Sequence, residues 1–263
     1  MSRLIEKFHK ASQVTAPPMG FRTARTSTAA VKILLIASLD TDTIDTPTDY
    51  LDGADAVLMR FNKAALTAKT VQKIASSLPD IPWGLYLADD DNKKAATAAE
   101  AGGDFVVFPA ASQVTTTPKD DKVGKILQVE ASMDDGLLRA INDLPVDAVL
   151  VADTFEGNGS LVWHQLMIFQ HLANLLTKPL IVGVPINVNE KELKVLWDAG
   201  VDGVIVEIDP AGAKGLKELR QAIDSLPPRS GRKRGKVNAV LPRTSSESPT
   251  TPPPDEEEEE EDE

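Results

Sequence analysis

Gly53-Ala54-Asp55-Ala56-Val57 is a short turn followed by an aspartate, a spacer and a valine at the head of an apolar run. The phrase returns as Gly103-Asp104-Phe105-Val106, as Val146-Asp147-Ala148-Val149 and as Val201-Asp202-Gly203-Val204. A recurrence at roughly this spacing fixes an architecture before any single element does. One further apolar run lies between successive copies, and one precedes the first. The series therefore predicts strands at 32–39, 54–60, 82–88, 104–109, 125–130, 147–153, 179–185 and 202–208. Most are continuous Val, Ile and Leu runs, as expected of parallel strands covered on both faces.

The connections complete the pattern. Helical periodicity marks 67–78, 92–101, 133–144, 160–176, 189–199 and 214–225. Ser160 reads as an N-cap and Gly200 as a left-handed C-cap. Two connections are poor: 41–53 has room for only a short helix, and 111–123 (ASQVTTTPKDDKV) lacks helical period. The expectation is an α/β fold, a single (β/α)8 TIM barrel over 31–226, with short or irregular cover after strands 1 and 4.

On either side the composition changes. Residues 1–30 carry five Lys or Arg against the single acid Glu6, and 2–12 can form an amphipathic helix with Leu4, Ile5, Phe8 and Ala11 on one side. The segment is basic and rich in Ser and Thr, as transit peptides are, but it reads first as an arm that is packed on the barrel or partly disordered. From Pro227 to Glu263 the chain reads as a disordered tail. A basic run (Arg229, Arg232, Lys233, Arg234, Lys236) leads into a Ser/Thr/Pro linker and nine consecutive acids, Asp255 to Glu263. Those nine account for most of the net charge of −12; setting them aside leaves −3, ordinary for a globular domain.

Several function classes lose support here. With no cysteine there is no disulfide, thiolate metal site or Cys nucleophile, which suits a reducing, cytoplasmic setting. No apolar run is long enough for a transmembrane segment. No aromatics interleave the basic run and acids follow it, so the nucleic-acid signal is weak.

In such barrels chemistry sits at the C-terminal mouth of the strands. Alternation along the strands directs Ser38 and Asp40, Arg60, Tyr86, Gln128 and Glu130, Asp153, and Glu207 and Asp209 inward, with Asn187 beyond strand 7. Asp89, Asp90 and Asp91 crowd the third loop. Carboxylates in a barrel interior are costly unless paired, hydrated or metal-bound. Arg60 is the one strand-end cation, facing Glu130, Asp153, Glu207 and Asp40. Lys32, Lys125 and Lys178 start strands, the wrong end for a Schiff base, and no His closes a strand. Carboxylate chemistry remains, with Glu130 or Asp153 as acid or base and Arg60 orienting a small anionic metabolite. Ser38, Asp40, Tyr86, Gln128, Asn187, Glu207 and Asp209 would contact the substrate. No cofactor is expected, although Asp153, Glu207 and Asp40 could hold Mg2+ or Mn2+. The bland alternative is a structural network of Arg60 with Glu130 and Glu207.

Helix 160–176 is more apolar than one buried stripe requires: Leu161, Val162, Trp163, Leu166, Met167, Ile168 and Phe169 run almost without a break. Either the N-terminal arm or a second subunit would cover it, the latter making a homo-oligomer through this helix. His164 and His171 on its polar stripe read as surface rather than metal ligands.

The stretch from Pro179 through Val184, with Leu196-Trp197-Asp198-Ala199-Gly200-Val201-Asp202-Gly203-Val204-Ile205-Val206, resembles the last two strands of the ribulose-phosphate-binding barrels. That resemblance implies a lyase or isomerase, and a phosphate received by glycines after strands 7 and 8. This chain departs from the pattern there, with Val184-Pro185-Ile186-Asn187 and Glu207-Ile208-Asp209. Gly212 and Gly215, before the last helix, could still offer backbone N–H groups, though helix-entry glycines more often serve packing. Two readings stand: an enzyme of carboxylate acid/base chemistry, or a non-catalytic barrel that acts as a scaffold or assembly protein through its arm, its apolar helix and its charged tail.

Overall fold

Eight parallel strands close on themselves in chain order in the computed structural model of this protein. It describes residues 1–12, 32–40, 51–61, 68–78, 80–87, 100–118, 120, 122–151, 159–208 and 213–227. The strands are β1 (Leu34–Asp40), β2 (Ala56–Arg60), β3 (Trp83–Tyr86), β4 (Phe105–Pro109), β5 (Gly124–Val129), β6 (Ala148–Val151), β7 (Leu180–Gly183) and β8 (Gly203–Ile208). Ring closure is made by β1 and β8, paired from Leu34↔Gly203 to Leu39↔Ile208. The helices are α1 (Arg3–Ser12), α2 (Ala68–Ser77), α3 (Asp135–Ala140), α4 (Trp163–Leu175), α5 (Glu190–Ala199) and α6 (Ala213–Ser225). The expected (β/α)8 barrel is therefore the observed fold.

Cover is thin after β4, where the connection to β5 contains one 3-10 turn, Val114–Thr116, ended by a bond from Thr117 Oγ1 to the Val114 carbonyl. The connection after β1 lies mostly outside the described residues. Helix 133–144 is shorter than its periodicity suggested: Asp134 caps α3 through the Gly136 N–H, and from Ile141 the chain tightens into a 3-10 turn. Ser160 does not cap α4. Val162 stands at that position, its N–H bonded to Gln165 Oε1 at 2.9 Å. Gly200 does close α5, with φ +110°, and Asn189 opens it by accepting from the Glu192 N–H while Glu192 accepts from the Asn189 N–H.

Side chains alternate between two apolar layers. Val57, Met59, Val106, Val149, Val151, Val182, Val204 and Val206 face the helices, with Leu172, Leu196, Leu216 and Ile223 packed on them. Leu34, Ile36, Leu58, Phe105, Val107, Ile126, Leu150, Ile181 and Ile205 fill the barrel.

Inside that filling sits α1. Leu4, Ile5 and Phe8 are buried in the barrel interior, so the arm plugs its N-terminal end. Glycines clear the way: a Cβ on Gly124 would stand 2.9 Å from Ile5, and one on Gly203 3.0 Å from Phe8. Residues 13–31 lie outside the described set.

The repeated aspartates explain themselves at the same end. In three copies the aspartate exchanges two bonds with one residue of the preceding strand. Asp55 donates its N–H to the Leu35 carbonyl and accepts the Leu35 N–H on Oδ2; Asp147 does the same with Lys125, and Asp202 with Leu180. Each side chain thus satisfies the first orphaned donor of a neighbouring strand. Asp104 keeps only the backbone half, donating to the Trp83 carbonyl. Its carboxylate instead takes the N–H groups of Arg3 and Leu4, at 2.7 and 2.9 Å, and the Ser2 hydroxyl at 2.6 Å. It caps α1 from across the barrel, where a negative charge also suits the helix dipole.

The strand-start lysines tie loops together at this end. Lys178 Nζ donates to the Leu144 and Val146 carbonyls, and Lys32 Nζ to the Asp224 carbonyl. Burial draws Lys178 below the usual lysine range, with Asp147 and Asp143 opposing the shift.

Candidate functional site at the barrel mouth

The inward register delivers Ser38 and Asp40 from β1, Arg60 from β2, Tyr86 from β3, Gln128 and Glu130 from β5 and Glu207 from β8 toward the C-terminal mouth. The alternation in β6 is the reverse of the one read from the sequence: Ala148 and Leu150 line the barrel while Val149 and Val151 face the helices. Asp153 itself, like Asp209, Gly212 and the Asp89–Asp91 run, lies outside the described residues. Asn187 is exposed beyond β7.

Two sectors of the mouth differ in kind. The first spans β8, β1, β2 and β3. Asp40 is the register partner of Arg60, and Ser38, buried, that of Glu207. The barrel's stagger brings Arg60 across β1 to Glu207, with Nη1 2.7 Å from Oε1. The guanidinium lies 5.2 Å from the centre of the Tyr86 ring, a cation–π contact. The arginine side chain is 34% exposed and the glutamate 75%.

The second sector lies at the ends of β4 and β5. A cavity of about 550 Å³ opens there, lined in part by Pro109, Ala110, Gln128, Glu130, Ser132 and Leu137. Pro109 and Gln128 are register partners, and the Ala110 N–H bonds the Gln128 carbonyl, which fixes the inner wall. Gln128 Oε1 is buried with no hydrogen-bond partner among the described residues. Glu130 is exposed at the rim, and Ser132 Oγ reaches its Oε2 at 3.5 Å.

The structure therefore separates residues that the sequence placed in one cluster. Arg60 pairs with Glu207, whereas Glu130 makes no ion pair among the described residues and belongs to the cavity. A network of Arg60 with both glutamates is not what forms. Ser132 and Pro109 were missed. The signal for Pro109 was available, since it closes an apolar strand with inward parity; Ser132 sits in a loop, where alternation gives no direction.

The metal arrangement considered for Asp153, Glu207 and Asp40 includes Asp153, which lies outside the described residues; among the described residues no three His, Asp or Glu side chains converge as a metal site requires, and the Glu207 carboxylate is engaged by Arg60. His171 bonds Asp135 on α3 at 2.7 Å, an inter-helix contact on the barrel's outside. Gly215 is a packing glycine: a Cβ there would stand 2.7 Å from Ile186, so it lets the loop after β7 rest on α6. Among the described residues no helix is long and apolar enough to cross a membrane.

No protein-family model matches the sequence, and no curated protein matches it. Solved structures do. Two variants of the tryptophan synthase alpha-subunit from the hyperthermophile Pyrococcus furiosus align with TM-score 0.57, at 13% and 14% identity, over 73% of this chain and 97% of theirs. At that identity the likeness concerns the fold alone. The chain folds as a (β/α)8 barrel, as these structures do.

Proposed function

We propose that the protein is a small-molecule enzyme, a lyase or isomerase, acting at the mouth of its barrel on an anionic substrate. The observation that carries this reading is the cavity at the ends of β4 and β5. It lies on the face where barrels of this class do their chemistry, with apolar walls and a few converging polar groups, as ligand sites have. In this reading Glu130 transfers the proton, Gln128 offers its buried amide to a polar group of the substrate, and Arg60 orients the anionic end from the adjoining sector. The lyase or isomerase assignment draws on the likeness to the tryptophan synthase alpha-subunit and on the resemblance of 179–206.

Thermal melting with a panel of small phosphorylated and carboxylated metabolites tests it. A ligand at a hundred times its Kd adds about 2.7 kcal/mol, a rise on the order of 5–10 °C for a domain of this size. Glu130→Gln should abolish that rise and leave the unliganded midpoint unchanged, because the carboxylate is exposed and bonded only by Ser132 among the described residues. A panel with no hit, or a Glu130→Gln protein that responds like the original, would sink the reading.

A second reading, assembly through α4, is favoured by one feature. Trp163 and Met167, one turn apart, are 82% and 62% exposed, and Val162 and Leu137 are exposed as well. The arm does not cover them over its described part, since α1 is inside the barrel. A second copy would bury this stripe. Light scattering across a concentration series should then show a dimer that Trp163→Glu converts to monomer with little change in melting. A monomer at every concentration removes this reading.

A further inference from the structure

We infer that the cavity at the ends of β4 and β5 takes a protonated amine. Its ligand carries an ammonium group held between Gln128 Oε1 and the Glu130 carboxylate, and an apolar body that lies over Pro109 and Leu137. The inference rests on the reading of the mouth as a small-molecule site and names the end of the substrate that enters this sector; in that reading the anionic end belongs to the other.

Charge sets the class. Among the described residues that line the cavity, Glu130 is the one ionisable side chain, with no Lys, Arg or His beside it. An anion placed here meets a like charge and no compensating cation, whereas a cation meets a carboxylate. The neutral polar group has the same preference. Gln128 is held in place as the register partner of Pro109 and through its carbonyl, which accepts the Ala110 N–H. Its side chain shares the parity of Ile126, which fills the barrel, and its Oε1 is buried with no hydrogen-bond partner among the described residues. A buried carbonyl oxygen without a donor is destabilising, and only an N–H or O–H satisfies it. Turning the amide over would present its NH2 instead, but the ligand that the neighbouring carboxylate favours is a donor, and a donor selects the oxygen.

The spacing suits one nitrogen. Glu130 comes directly after β5, two positions beyond Gln128. Two residues of extended chain span roughly 6–7 Å, so an ammonium between them can reach an acceptor on each with bonds of about 3 Å. The Met133 N–H on the Glu130 carbonyl closes the turn after the strand, and Ser132 Oγ stands 3.5 Å from Glu130 Oε2. The three donors of an ammonium thus match Gln128, Glu130 and the Ser132 hydroxyl. The rest of the wall is apolar. Leu137 is 59% exposed at its edge, surface that a hydrocarbon body would take out of water. A volume of about 550 Å³ is in the range of small-molecule sites.

The experiment titrates the full chain, labelled with 15N, with phenethylamine at neutral pH and constant ionic strength. The Gln128 side-chain amide and the Glu130 backbone amide are followed. Phenylpropionate keeps the apolar body and reverses the charge; phenylethanol keeps the body and a donor without charge. Phenethylamine should move both residues to saturation, phenylethanol should bind about tenfold more weakly, and phenylpropionate should leave both unmoved. Glu130→Gln should weaken phenethylamine about tenfold, and Gln128→Leu, followed at Glu130, should lose it. Gln128→Leu has a readout apart from binding: it removes an unpaired buried oxygen at similar volume, so the unliganded protein should melt at the same temperature or higher.

Phenylpropionate binding at these residues as tightly as phenethylamine overturns the amine assignment and leaves the small-molecule reading standing. A Glu130→Gln protein that holds phenethylamine as tightly as the original does the same. A Gln128→Leu protein that melts below the original assigns the amide to structure and overturns its role toward a ligand. If none of the three probes moves either residue, the inference fails, and the metabolite screen with Glu130→Gln decides the wider reading independently.

Discussion

Phe8→Ala is expected to lower stability by about 3–5 kcal/mol, the range for emptying a buried aromatic site, and to lower the melting midpoint by on the order of 10 °C. The size of the effect follows from where the ring lies. Phe8 is buried in the barrel interior among inward side chains of the strands, against the bare Cα of Gly203. A ten-residue helix has little stability of its own in water, so α1 persists only through Leu4, Ile5, Phe8 and the Asp104 cap. Removing the ring leaves a cavity that the closed barrel cannot collapse to fill. Urea denaturation followed by circular dichroism measures it. A loss under about 1 kcal/mol would mean that the arm rests on the barrel without being part of its core.

Gly84→Ala is the other large effect. A Cβ at this position would stand 2.4 Å from the carbonyl oxygen of Phe105, its register partner on β4, and 2.5 Å from the Phe105 ring. Neither can give way cheaply, since one is backbone in a parallel pair and the other is a fully buried ring. Overpacking costs typically about 1–3 kcal/mol and occasionally more, and a clash with backbone puts this case at or above the upper end. Gly102→Ala makes the comparison. Gly102 has φ +85° with nothing within 4 Å, so alanine there meets only backbone strain of about 1–2 kcal/mol. Parallel urea titrations of the two variants should therefore separate clearly, with Gly84→Ala the less stable. Equal losses would show that β3 and β4 can separate to admit a methyl group.

The barrel was legible because its evidence is repeated. Four Asp–x–Val phrases and the apolar runs between them give strand number and parallel direction without any tertiary information. The residues that carry the phrase have a physical reason to recur, since Asp55, Asp147 and Asp202 each close a two-way contact with the preceding strand. Strand parity was legible where a polar side chain marks one face near the strand end, as Arg60 does in β2, Tyr86 in β3, Gln128 in β5 and Glu207 in β8, and these share the inward parity of the barrel-filling residues before them. It failed at β6, where Ala148-Val149-Leu150-Val151 is apolar at every position and either face could have been the inner one. The pairing at the mouth was not legible either. Parity says which residues face the centre, but the stagger between strands decides which of them meet, and it gave Arg60 to Glu207 while leaving Glu130 beside Ser132. The plug was half legible: Leu4, Ile5 and Phe8 form an evident stripe, but its receptor is the empty space over Gly124 and Gly203, and only the fold shows that the two correspond.

The bonds of the Asp104 carboxylate carry a consequence for how the chain reaches this state. Its partners are residues 2–4, some hundred positions earlier in the sequence, and the ring of Phe8 needs the start of β8, nearly two hundred positions later. Neither contact exists until the intervening chain has been made and its strands have paired. Residues 2–8 are made before the strands they pack on, so they are expected to find their place only after β4 and β8 have formed.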